Sequence, residues 1–158
     1  MKAATAKEIK EELKSRSPQE LVELCLRLSR FKKENKELLT YLLFESDDEN
    51  DYIEAVKNEI DELFKDVNRK SYYYIRKSVR KILSTTKKYI RYSQNNQTEV
   101  ELLIYFCKKL KGFTPSIRNN LALRNIYNRQ VELLQKSMAK LHEDLQFDYE
   151  SELEELLK

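Results

Sequence analysis

Residues 69–92 read RKSYYYIRKSVRKILSTTKKYIRY, and this stretch decides the fold. Tyr72, Ile75, Val79, Ile82, Thr86 and Tyr89 recur at alternating spacings of three and four. That period lines one stripe of an α-helix. Lys70, Lys77, Arg80, Lys81, Lys87, Lys88 and Arg91 fall on the opposite stripe, interrupted by Tyr73, Tyr74 and Ser84. Nine Lys and Arg residues and no acid lie between Asp66 and Glu99. The stretch predicts a long helix whose apolar face is central to a core. Its outer face is cationic and uncompensated by acids of its own.

The rest of the composition agrees with a helical chain. One Gly and two Pro in 158 residues are too few for the turns of a sheet protein. The residues used most, Leu, Glu, Lys, Arg and Gln, are good helix formers. A hydrophobic fraction of 41% supports a packed core, and a charged fraction of 36% supports a well-solvated surface. The expected architecture is a single all-α domain over residues 1–158, a helical bundle or short helical array of about six to seven helices. Residues 145–158 are expected to be a semi-ordered acidic tail or a last amphipathic helix.

Outward from the basic stretch, the caps and breakers divide the chain. Residues 3–15 suit a first helix with Ile9 and Leu13 inward. Ser17-Pro18-Gln19-Glu20 combines a capping serine, a proline at the first helical position and a capping-box glutamate. Leu21, Leu24, Leu28, Phe31, Asn35, Leu38 and Leu42 then keep the three-four rhythm. Asn35 is a poor core residue, so this segment reads as two helices or one bent helix. The acidic loop 45–51 leads into a helix at about 48–66, capped by Asp47 or Asp48, that buries Ile53, Val56, Ile60, Leu63 and Phe64.

After the basic helix, Ser93 to Gln97 is a polar break. Thr98 and Glu101 read as a second capping box opening a helix over 99–111. Gly112 stands where a left-handed cap belongs. A long helix then begins near Pro115 to Asn119 and carries Leu123, Ile126, Val131, Leu134, Met138, Leu141 and Leu145.

Several function classes lack their residues. A zinc site needs several His or Cys at close spacing, and His142, Cys25 and Cys107 are the only such residues. One glycine cannot build a phosphate-binding loop or a Gly-x-Ser-x-Gly elbow. Asp47, Asp48, Glu49 and Asp51 match a calcium loop in composition alone, without its glycine and closing glutamate. No catalytic constellation, cofactor or metal is expected. The two cysteines lie on apolar stripes and read as buried thiols. No apolar run approaches the ~20 residues that cross a bilayer, and MKAATAKEIKEEL lacks the apolar segment of a signal peptide. A cytoplasmic protein without a membrane partner is expected.

The charges are blocky. Residues 45–66 carry ten acids against Lys57 and Lys65, whereas 67–98 carry the nine cations. Two outcomes follow. The acidic segment packs on the basic helix and neutralises it, or the basic face is left for a partner. The preferred reading is a non-catalytic interaction or scaffold protein whose cationic face meets an acidic protein partner. The alternative is nucleic acid, with phosphates on the cations and bases stacked on Tyr73 and Tyr74. Arg118, Arg124 and Arg129 are expected to extend the patch from the later helix. The partner's identity and the oligomeric state are not legible in the sequence.

The segment from Ser17-Pro18-Gln19-Glu20-Leu21 through Leu24, Leu28, Phe31-Lys32 and Leu38 to Phe44, ahead of an acidic loop, resembles small all-helical bacterial domains. The resemblance spans residues 10–95 in spacing and residue type. It implies a helical fold and no particular activity.

Overall fold

The computed structural model describes residues 1–158. It contains eight α-helices and no strand, one helix more than the upper expectation. They fall into two compact units, Met1–Phe44 and Glu45–Lys158.

The first unit holds α1 (Ala6–Lys14), α2 (Pro18–Phe31) and α3 (Lys33–Thr40). Both early caps are complete boxes. Thr5 accepts from the Glu8 N–H while Glu8 accepts from the Thr5 N–H, and Ser17 and Glu20 do the same for α2. Lys32 is extended at φ −141 and ψ 149, so residues 18–44 form two helices rather than a single bent one. Asn35 Nδ2 donates to the Leu28 carbonyl at 2.8 Å, which ties the start of α3 to α2. A short π-helical turn, Tyr41–Glu45, follows α3.

No residue of α1, α2 or α3 is buried. Ile9, Leu13, Leu24, Leu28 and Phe31 were expected inward, yet all are exposed, Phe31 to 77%. The periodicity correctly makes amphipathic helices. Three short helices with one apolar stripe each cannot enclose a core among themselves. Cys25 shares this exposure, contrary to its expected burial.

The second unit holds α4 (Glu49–Lys65), α5 (Tyr72–Ser93), α6 (Asn96–Lys111), a 3₁₀ turn (Ile117–Asn119), α7 (Leu121–Met138) and α8 (Glu143–Leu157). Its centre is α6, which packs against α4, α5, α7 and α8. Val100, Leu102, Leu103, Ile104, Phe106, Cys107 and Leu110 of α6 are all buried. Successive apolar residues cover more than one face, and a helix apolar on most sides must be surrounded. The basic helix therefore flanks the core rather than centring it. Its Ile75, Val79, Ile82 and Thr86 are buried as the spacing predicts, and Tyr72 and Tyr89 are half-buried. Each fully buried isoleucine contributes roughly 1.5–3 kcal/mol. The Thr86 hydroxyl donates to the Ile82 carbonyl at 2.9 Å, so its burial leaves no orphan donor.

Asp48 caps α4, whose Ile53, Val56, Ile60 and Phe64 are buried with Tyr52, while Leu63 is half-buried. Three local expectations fail. The cap of α6 is Asn95, whose Oδ1 accepts from the Gln97 and Thr98 N–H groups. The Thr98 hydroxyl instead donates to Glu49 at 2.5 Å. Gly112 keeps an ordinary φ of −82, and the left-handed residue is Gln94, φ 54, which ends α5. The long C-terminal helix stops at Met138, so Leu141 and Leu145 leave it. His142 caps the new helix α8, where Tyr149 and Leu156 are buried.

Candidate functional site

The outer face of α5 gathers most of the residues singled out in the sequence. Tyr73, Tyr74, Lys77, Arg80, Lys81 and Arg91 are exposed, and Lys87 and Lys88 are half-buried. The Tyr73 and Tyr74 rings meet edge-to-face with centroids 5.3 Å apart. They are 61% and 43% exposed. Lys70 precedes the helix, exposed in the link from α4, where its N–H donates to Asn68 Oδ1 at 3.0 Å. Lys88 Nζ lies 4.8 Å from the centre of the Tyr89 ring and 5.9 Å from that of Tyr92, so the C-terminal part of the stripe is banked by aromatic faces.

Glu54, Glu59, Asp61 and Glu62 of α4 have partners other than the α5 cations. Lys57 lies 2.8 Å from Glu54 and 3.1 Å from Glu101 on α6. Burial by itself lowers the Lys57 pKa, but the bonds to Glu54 and Glu101 outweigh it and raise the value. Asp61 receives Lys109 at 2.7 Å and the Tyr105 hydroxyl at 2.8 Å, both from α6. Glu59 accepts from the Tyr89 hydroxyl at 2.7 Å, and Glu49 accepts from the Ser93 hydroxyl at 2.8 Å. Glu62 pairs with Lys65 within α4. No ion pair joins Lys77, Arg80, Lys81, Lys87 or Arg91 to any carboxylate. Thus α4 meets α5 through bonds that include Tyr89–Glu59 and Ser93–Glu49, while Lys57 and Asp61 are matched across to Glu101 and Lys109 of α6.

The later arginines stand on the 3₁₀ turn and α7, and the Tyr72 hydroxyl of α5 donates to the Ser116 carbonyl at 2.9 Å, two residues before Arg118. Arg118 and Arg124 line a cleft of the second unit to which α5 contributes no residue, and Arg129 is exposed on α7 outside that lining. Arg69 stacks its guanidinium 4.6 Å from the Phe113 ring. His142 is exposed, its Nδ1 accepting from the Asp144 N–H at 3.3 Å. Elsewhere, no three His, Cys, Asp or Glu side chains converge as a metal-binding group would. No helix is long and apolar enough to cross a membrane.

No family model, curated protein or solved structure matches this chain.

Proposed function

We propose that the chain is a non-catalytic interaction or scaffold protein whose α5 face docks an acidic protein partner. The observation that carries this reading is the set Lys77, Arg80, Lys81, Lys87 and Arg91, which pair with no carboxylate, beside α4, whose Asp61 and Glu62 pair with Lys109 and Lys65. Clustered cations on a rigid helix raise the local potential and speed the encounter with an acidic surface. A helix-width stripe also fits an acidic helix or extended acidic segment. Glu54, Glu59, Glu62 and Asp66 are exposed on or just after the neighbouring α4. They would repel any anionic partner, peptide or nucleic acid, that spread beyond the stripe, so the face suits a narrow one. Nucleic acid is the second reading, supported by the exposed Tyr73 and Tyr74 among the cations.

The test is a salt titration of three fluorescent probes, an acidic Glu/Asp-rich peptide, single-stranded RNA and duplex DNA. Wild type is compared with the combined variant Lys77→Gln, Arg80→Gln, Lys81→Gln and Arg91→Gln. The reading expects peptide binding at low salt that this variant loses. Failure of the peptide to bind would overturn it. Binding to RNA or DNA alone, with affinity falling steeply as salt rises, would transfer the face to the second reading.

A further inference from the structure

We propose that the cleft between the start of α7 and the end of α8 binds a small organic anion, one carrying a pair of phosphate or carboxylate groups on a compact body. The cleft has a volume of about 650 Å³. That is the size of ordinary small-molecule sites, which combine an apolar floor with a few polar groups. Here Ile117, Val131 and Leu156 are buried apolar residues of the lining. Lys111, Arg118, Arg124 and Lys158 supply cations, and Glu132 is the one acidic side chain along the wall.

Arg118 and Arg124 are exposed, and their guanidinium groups form neither an ion pair nor a hydrogen bond within the protein. Their backbone is nevertheless fixed. The Ser116 hydroxyl accepts from the Arg118 N–H at 3.2 Å, and Asn120 caps α7 through the Leu123 N–H at 3.1 Å. Two forked donors on a rigid support suit bidentate oxyanions better than single point charges. The opposite wall is prepared in the same sense. The end of α8 presents carbonyl oxygens, which repel anions. Lys111 Nζ donates to the Glu155 carbonyl, and the Tyr127 hydroxyl donates to the Leu156 carbonyl at 2.7 Å. Those two acceptors are covered, and four cationic side chains against Glu132 leave the lining positive in its side chains. The exposed amides of Asn128 and Gln135, also on its wall, can orient the body of a ligand.

The cleft takes no lining residue from α5, and its test separates the two. Isothermal titration with inorganic phosphate, citrate and adenosine diphosphate is run on the full chain at low salt. Citrate or adenosine diphosphate is expected to bind at least about tenfold tighter than phosphate, because both carry more than one anionic group on a body that the apolar floor can meet. The pair Arg118→Gln with Arg124→Gln is expected to weaken that binding at least about tenfold. Asn128→Trp fills the mouth without changing charge and is expected to abolish it. Lys77→Gln with Lys81→Gln on α5 is expected to leave it intact. Absence of binding by citrate and adenosine diphosphate would overturn the proposal. So would binding that survives either the arginine pair or Asn128→Trp.

Discussion

Lys109 on α6 reaches Asp61 on α4 at 2.7 Å, and this pairing takes from α4 an acid that could have neutralised α5. The Tyr105 hydroxyl shares the same carboxylate. Burial by itself raises the Asp61 pKa, but the bonds from Lys109 and Tyr105 outweigh it and hold the carboxyl below its usual value. A carboxylate with a lowered folded-state pKa stabilises the fold above its unfolded pKa, near 4. That stabilisation is lost as pH falls through the folded value. Asp61→Asn is therefore expected to cost on the order of 1 kcal/mol at neutral pH. The difference from wild type should shrink below about pH 4. Urea melts of both proteins from pH 7 to pH 3 check this, and a pH-independent difference would contradict it.

Ser137 is fully buried on α7, and its hydroxyl has no hydrogen-bond partner. An unpaired buried polar group costs about 1–3 kcal/mol. Ser137→Ala removes that cost for the loss of one small atom, so it is expected to stabilise the protein by about 1 kcal/mol. Chemical denaturation measures it directly. A loss of stability would show that the hydroxyl is bonded after all.

The two cysteines should differ sharply. Burial pushes the Cys107 thiol up to about 12, whereas Cys25 is exposed. Reactivity follows thiolate content and access. A thiol reagent at neutral pH is expected to label Cys25 in the native protein and Cys107 only after unfolding. Mass spectrometry of the labelled peptides distinguishes them, and native labelling of Cys107 would place it wrongly.

Lys77 and Lys81, like Lys87 and Arg91, are like-charged pairs four residues apart on α5. Each such pair opposes the helix by about 0.2–0.5 kcal/mol. Glutamine is a comparable helix former. The combined variant Lys77→Gln, Arg80→Gln, Lys81→Gln and Arg91→Gln is thus expected to melt at or slightly above the wild-type temperature while losing its partner. A clear fall in melting temperature would assign these cations a structural role.

Residues 1–44 have well-capped helices but bury nothing within α1, α2 or α3. Short helices without tertiary burial are marginal in water. The isolated 1–44 peptide is expected to show a broad, non-cooperative helix melt by circular dichroism. A sharp transition would reveal a core of its own.

What the sequence determined by itself was local. The three-four spacing placed Ile75, Val79, Ile82 and Thr86 on the buried side of α5, since a helix repeats every 3.6 residues wherever it sits. The Ser17–Glu20 box and the Asp48 cap were readable because both act across a single turn. Tertiary structure decided which stripes found cover. Equally periodic leucines are buried on α6 and exposed on α2, because only α6 is surrounded by four other helices. It also decided the fate of the charges. Asp61 and Glu101 lie far apart in the chain, yet each is matched across the α4–α6 contact by a lysine, Lys109 for Asp61 and Lys57 for Glu101. Coulomb attraction depends on distance in space, and no charge pattern along a sequence states that distance. Which cations of α5 meet a carboxylate is likewise a matter of neighbours in space, and Lys77, Arg80, Lys81, Lys87 and Arg91 meet none.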